Sequence, residues 1–382
     1  MFNKHDAHKN ECMLTGDFAS KGYDWWWHSF TAIEDASGKE VPFFIEYFLI
    51  NPALAKKEPV LGQLPSNKAT GEKPSYLMLK AGMWGPKHKQ LHRFFSWKEI
   101  DVHYKAPWSI LAEGCFASDT ELRGKIELSQ SEVKSHPEYM SDAGYIKWDL
   151  KVDKQIAFNV GYGTSTPFRK MKAFEMYWHA EGMKALYRGK IQMDGKNYTV
   201  FPDSCYGYAD KNWGSGFTSP WLWLSSNDII SQFSHERLEN TVFDIGGGRP
   251  KAFGIPFERK LLGALWYEGK PFEYNFSKFW TLSKQKFSVK ESDEEIVWYV
   301  ELQNYRSVLR TEIHCKKKDM LFVNYEDPEG RKPFSRLWNG GNGSGTLWLY
   351  RKDSGNLILI DELIVGHVGC EYGEFDTEGK SE

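Results

Sequence analysis

A chain of 382 residues is longer than one small domain and supplies material for two cores. Hydrophobic residues at 41% and charged residues at 26% place it among soluble globular proteins and exclude the disordered and collagen-like classes. A formal net charge of −2 leaves no overall positive field for phosphate backbones or an anionic lipid surface, so no nucleic-acid partner is expected.

Residues 1–20 are studded with Asp, Glu, Lys and His and lack the apolar core of a secretion signal. Five scattered cysteines (Cys12, Cys115, Cys205, Cys315, Cys370), none in a C-x-x-C pair, fit free thiols in a reducing, cytoplasmic compartment. No stretch approaches the roughly 20 uninterrupted apolar residues of a membrane-spanning helix.

Short apolar runs bounded by turn signals recur along the chain with little helical periodicity, which reads as all-β. Residues 25–32 and 41–50 are expected to pair across a turn holding Ser37 and Gly38. A Pro, Lys and Gly-rich stretch, 51–73, reads as a surface loop. Residues 76–81, 97–102 and 125–129 supply further strands. The turn formers at 161–167 mark a junction between domains 1–165 and 166–382. Residues 187–193 and 197–201 flank an Asp194-Gly195-Lys196 turn, and 263–267 and 271–276 flank Glu268-Gly269-Lys270, two hairpin patterns. Segments 296–302, 307–315, 320–325, 345–351 and 357–365 read as one continuous antiparallel sheet. The acidic tail, 371–382, reads as frayed.

Aromatic residues make up 16% of the chain, with 16 Trp, 19 Tyr and 25 Phe. They suit a β-rich core, and they equally suit a cavity walled by π faces.

The string Tyr206-Gly-Tyr-Ala-Asp-Lys-Asn-Trp-Gly-Ser-Gly-Phe217, followed by Trp221-Leu-Trp-Leu-Ser-Ser-Asn227, resembles the signature of the tocopherol cyclase family. Trp26-Trp27, Asn51-Pro52, Phe174-Glu175 with Trp178, and Gly246-Gly247-Gly248 are similar to the family in order and approximate spacing. The resemblance implies a pair of lipocalin-like barrels. It also implies a cofactor-independent isomerase that adds a phenol oxygen across a prenyl double bond to close a chroman-type ring. The wider group includes hydratases and natural-product cyclases, so ring closure on a chalcone, hydration of a terpenoid or carotenoid alkene, and non-catalytic carriage of a hydrophobic ligand stay open. The partner expected in each case is a small apolar substrate: a prenylated phenol, a polyphenol or a terpenoid.

Such a cyclisation needs an acid kept protonated by dry surroundings, aromatic faces for a carbocation, and a held phenol. Asp210 is the family-matched carboxylate and the first candidate acid. Lys211 beside it would instead favour a carboxylate base, or an Asp-Lys pair that pins a loop. Asn212 would orient an oxygen or cap a turn. Glu46 shares a strand face with Phe44 and Phe48 and is the rival acid, or faces water. Period two puts Trp221, Trp223, Ser225 and Asn227 on one strand face. Tyr206, Tyr208, Trp213 and these residues form the candidate pocket, with Trp27, His28, Trp178 and His179 beside it as further wall or proton carriers; ordinary packing is the alternative for each. His88, His92 and His103 form no metal motif, and the Gly246-Gly247-Gly248 run reads as a tight corner beside the cavity.

Overall fold

In a computed structural model, the protein is described over residues 7–158, 171, 173–252, 255–256 and 258–375. Strand makes up 59% of it and helix 9%. Where apolar and polar residues alternate, one face of the strand is wet. Gly144–Phe158 buries Ile146, Trp148, Leu150 and Val152 and exposes Lys147, Asp149, Lys151 and Asp153. Where alternation fails, both faces are covered. Tyr23–Glu34 is buried along almost its whole length, with Trp25 and Trp27 in one core and Trp26 and Phe30 in another.

The first sheet contains β1 (Tyr23–Glu34), β2 (Glu40–Ile50), β3 (Tyr76–Met83), β4 (Lys89–Phe95), β5 (Ile100–His103) and β6 (Ser109–Ala112). It continues with β7 (Cys115–Ser118), β8 (Glu121–Leu128), β9 (Gly144–Phe158), β10 (Met176–Met193), β11 (Lys196–Val200) and β12 (Gly207–Gly214). Its order is β4-β3-β2-β1-β11-β10-β9-β8-β7-β6-β5, and β12 bridges β1 and β10.

Next come β13 (Trp221–Ser226), β14 (Asp228–Ser231), β15 (Val242–Gly248), and a small ribbon of β16 (Lys251–Ala252) and β17 (Ile255–Pro256). They are followed by β18 (Lys260–Tyr267), β19 (Lys270–Asn275), β20 (Lys284–Glu291) and β21 (Glu295–Gln303). The last are β22 (Ser307–Lys316), β23 (Met320–Val323), β24 (Leu337–Asp353) and β25 (Asn356–Gly373). The second sheet runs β19-β18-β15-β13-β25-β24-β22-β21-β20, with β14 on β25 and β23 on β24.

Both expected hairpins form, β10 with β11 and β18 with β19. The C-terminal segments share one antiparallel sheet, although β23 pairs with β24 and not with β22. The stretch 51–73 is not wholly loop: a helix, Pro65–Thr70, lies inside it. The expected junction at 161–167 lies outside the described residues. The strands flanking it, β9 and β10, pair with each other, and the switch of sheet falls between Gly214 and Trp221.

The two sheets each wrap their own core, one around Trp26, Trp108 and Trp148, the other around Trp298, Leu309 and Leu347. A third cluster joins Trp25, Trp27, Phe44 and Phe48 of the first sheet to Trp221, Trp223 and Tyr325 of the second. Fully burying a side chain such as Phe44 or Phe48 contributes roughly 1.5–3 kcal/mol, so this seam is a substantial part of what joins the halves.

Candidate active site

Residues directly opposite in antiparallel strands share a face. Asp210 on β12 faces Trp27 on β1, Trp27 faces Glu46 on β2, Glu46 faces Lys80 on β3, and Lys80 faces His92 on β4. A row of ionisable and aromatic side chains therefore crosses the first sheet on the side turned to the second. Lys80 Nζ lies 2.8 Å from Glu46 Oε2 and 3.8 Å from the centre of the Tyr325 ring, and the Tyr325 hydroxyl donates to the same Glu46 oxygen at 3.2 Å. Burial raises the Glu46 carboxyl and lowers the Lys80 amine, against their mutual attraction.

Asp210 stands at the other end of the row. Its Oδ2 accepts from Trp178 Nε1 at 2.7 Å, while Oδ1 has no hydrogen-bond partner. The Tyr208 hydroxyl oxygen lies 3.2 Å from Asp210 Oδ2 and 2.9 Å from Oδ2 of Asp244, which comes from the second sheet. A phenol has one hydrogen to give, so it donates to only one carboxyl. The other contact is a hydrogen bond only when that carboxyl carries a proton and donates to the phenol oxygen. A neutral acid at Asp210 or Asp244 lets both contacts of the Asp210-Tyr208-Asp244 bridge be full hydrogen bonds. Burial agrees, pushing both carboxyls well above their ordinary range, with each one's charged neighbours adding to the rise.

Glu371 on β25 completes the set. It accepts from Trp221 Nε1 at 2.5 Å and Asn339 Nδ2 at 2.6 Å, and burial raises its carboxyl to about 7. Trp25, Trp27, Asp210, Trp221, Trp223, Tyr325 and Glu371 line one small hollow between the sheets. It leaves about 20 Å³ for water, close to the volume one molecule needs. Trp27 Nε1, at its wall, is buried without an acceptor. From here a seam runs past Trp221, Phe217 and Thr218 to an outer apolar cleft walled by Phe174, Trp178, Leu262 and Phe276.

The family model described as tocopherol cyclase-like matches residues 78–366. The chain belongs to this family. It is 30% identical over 137 residues to the chloroplastic tocopherol cyclase of Zea mays, covering 36% of this chain and 26% of that protein. It is 30% identical over 127 residues to the probable chloroplastic tocopherol cyclase of Oryza sativa subsp. japonica, covering 33% and 24%. The chain thus matches about a quarter of the length of these curated relatives. Among solved structures it is similar to a putative AttH from Nitrosomonas europaea (12% identity, TM-score 0.46, covering 96% of this chain and 94% of that one). It is also similar to CghA bound to Sch210972 (11%, TM-score 0.41, 94% and 90%).

The tocopherol cyclase-like signature lies in and around β12, and strand parity divides it. Tyr208 and Asp210 face the hollow. Asn212, on the same face, accepts from Tyr23 at 2.8 Å and keeps its buried amide nitrogen without a partner. Lys211 points the other way and pairs with Asp24, so it neither neutralises Asp210 nor pins a loop with it. Trp213 shares that opposite face and stacks on Tyr177 at 5.5 Å. His28 and His179 are turned from the hollow as well. His28 Nδ1 lies 2.9 Å from the Tyr187 hydroxyl, and burial lowers both imidazoles, His179 to about 3, which unfits them as proton carriers near neutrality. Tyr206 lies outside the hollow, stacked on His367 at 3.8 Å. Asn227 is structural, donating to the carbonyls of Met183 and Gly207.

Trp27, Trp221 and Trp223 line the hollow, Trp178 holds Asp210, and Glu46 stands in the row across the first sheet. Gly246 and Gly248 line the outer cleft; a Cβ on Gly246 would meet the Trp178 ring at 2.9 Å, so its glycine makes room for the indole that holds Asp210. Asp244, Glu371, Tyr325 and Lys80 were not foreseen. Glu371 lies inside β25, not in a frayed tail. His92 is buried in β4, its Nδ1 bound to the Tyr139 carbonyl. Among the described residues no helix is long and apolar enough to cross a membrane.

Proposed function

We propose that the protein is a cofactor-independent intramolecular cyclase that adds a phenol oxygen to a carbon-carbon double bond of an apolar substrate. The observation that carries this reading is a buried carboxyl in the wall of a hollow lined by indole rings, its Oδ1 without a hydrogen-bond partner and its affinity for a proton raised by burial. Asp210 Oδ1 gives its proton to the alkene, and the tertiary cation that forms lies among the faces of Trp25, Trp221 and Trp223, which offer π density but no nucleophile. Trp27 Nε1, a donor with nothing else to bind, holds the substrate oxygen over the cation. As the carbon-oxygen bond closes, the phenol proton passes to the Glu371 carboxylate. Water returns it to Asp210 after the product leaves, so the net reaction is an isomerisation.

Incubation of the purified protein with a prenylated hydroquinone, and separately with a chalcone, tests the reading by the appearance of ring-closed product. Asp210→Asn keeps the shape of a neutral carboxyl without its acidic proton and is expected to lower kcat about 10²–10⁴-fold. An unchanged rate would remove the acid role. The water-sized hollow favours one second reading, hydration of an isolated alkene. Solvent oxygen in the product identifies it, because ring closure incorporates none.

A further inference from the structure

Residues 249–291 carry nine Lys and Arg against four Glu, net +5 in a chain whose total is −2. Arg249, Lys251 and Lys260 line the cleft itself, where Glu175 pairs with Lys251 at 3.4 Å; Arg259 packs over Phe287 of β20, and Lys284 and Lys286 project from that edge strand. Three residues beyond Phe276, a cleft wall, a turn presents Phe279, Trp280 and Leu282 to solvent at 78%, 58% and 67% exposure, and Ile255 nearby in sequence to the cleft lysines is 67% exposed.

This exposure is built into the turn. Thr281 Oγ1 donates to the Lys278 carbonyl at 2.8 Å, Lys278 pairs with Glu273 at 2.6 Å, and Ser277 N donates to Asn275. Leu282 holds a positive φ of 51°, a conformation that costs a branched-chain residue energy and is kept here to close a turn that points apolar side chains outward. Single exposed apolar residues need no explanation, but three large ones on one braced turn amid excess positive charge do.

We propose that this face docks on an anionic lipid bilayer, the turn 279–282 inserting into the interfacial layer while the surrounding lysines and arginines meet lipid headgroups. Aromatic and aliphatic tips with a basic collar are the combination that partitions into a membrane interface. Leu282 finds hydrocarbon there, whereas it offers no stacking surface to a nucleic-acid base. The cleft opens between the lysines, so an apolar molecule leaving the bilayer meets Phe276, Leu262 and Trp178 without crossing water. That purpose rests on the cyclase reading; the docking itself does not.

Co-sedimentation with vesicles of phosphatidylcholine alone and of equimolar phosphatidylcholine and phosphatidylserine, in the absence of substrate, tests the proposal. The full chain is expected to bind the mixed vesicles, to bind the neutral ones more weakly, and to be released by salt. Phe279→Ser/Trp280→Ser/Leu282→Ser should lower partitioning about tenfold or more with an unchanged melting temperature, since these side chains are exposed. Lys284→Glu/Lys286→Glu should erase the preference for phosphatidylserine. Absence of binding to either vesicle, binding that the triple variant retains, or capture of an oligonucleotide that the triple variant loses would each overturn it. A protein that docks yet closes no ring removes the cyclase reading alone; one that closes the ring in detergent yet ignores vesicles removes the docking alone.

Discussion

Glu371→Gln separates the electrostatics of the hollow from its packing. The carboxyl rises from an ordinary 4.5 to about 7, and desolvation is the largest cause. A carboxyl raised on folding contributes its full stability below 4.5 and loses it as pH climbs through 7, because the folded state binds the proton more tightly than the unfolded chain. The difference amounts to roughly 3 kcal/mol, an upper bound because Glu371 is only partly buried. Glutamine cannot ionise, so relative stability should move in the variant's favour by up to that amount across the window. A constant offset opposes it: Trp221 and Asn339 both donate to the carboxyl, and an amide has one oxygen for two donors, costing about 1–3 kcal/mol at every pH. Urea unfolding of both proteins from about pH 4 to pH 8 reads the crossing directly. A difference that stays flat across that range would refute burial as the cause. In the proposed reaction the same group must be ionised, so kcat/KM of the wild type should rise through about pH 7, and the variant should lack that limb.

Gly246→Ala places a methyl 2.9 Å from the Trp178 ring; it should cost about 1–3 kcal/mol by urea unfolding and lower kcat, because the indole that anchors Asp210 is displaced. Lys211→Met leaves Asp24 buried without its cation and should cost roughly 3–5 kcal/mol at neutral pH, while turnover per folded molecule holds, since Lys211 faces away from the hollow; melting and kinetics on one preparation check both halves.

The hairpins were legible because alternation and Asp-Gly or Glu-Gly turns are local signals, and strands such as β9 keep one face wet. The seam was legible only as a surplus of aromatics. Strands β1 and β12 are buried on both faces, so their sequences give no parity, and residues adjacent in the signature scatter to opposite sides: Asp210 to the hollow, Lys211 to the first barrel's interior. Asp244 and Glu371 sit in distant strands with no shared spacing. Glu371 reads as part of an acidic tail because Glu374 and Asp376 follow it, and only pairing with β13 and β24 reveals it as a half-buried carboxyl near the end of a strand. Lys80 is a lone cation in an apolar run, and only its register opposite Glu46 gives it a role in the row.

The hollow's walls come from two sheets, and that bears on how anything reaches Asp210. About 20 Å³ admits a water molecule but no phenol, whose pockets run to roughly 300–1,000 Å³, so a bound substrate requires the walls to part. Contacts at the rim between the two halves include the exposed pair Lys73 with Glu329 at 2.8 Å, and Glu40 with His367 at 3.1 Å and Lys184 with Glu239 at 3.2 Å, each exposed on its carboxylate side. Pairs of this kind contribute about 0–1 kcal/mol each, so the rim yields cheaply. The aromatic contacts beneath it cost more to separate, but an apolar guest replaces them with contacts of the same kind. Widening is therefore selective: a greasy molecule that covers Trp25, Trp221 and Trp223 restores what it displaces, and water, which cannot, leaves the sheets closed over Asp210.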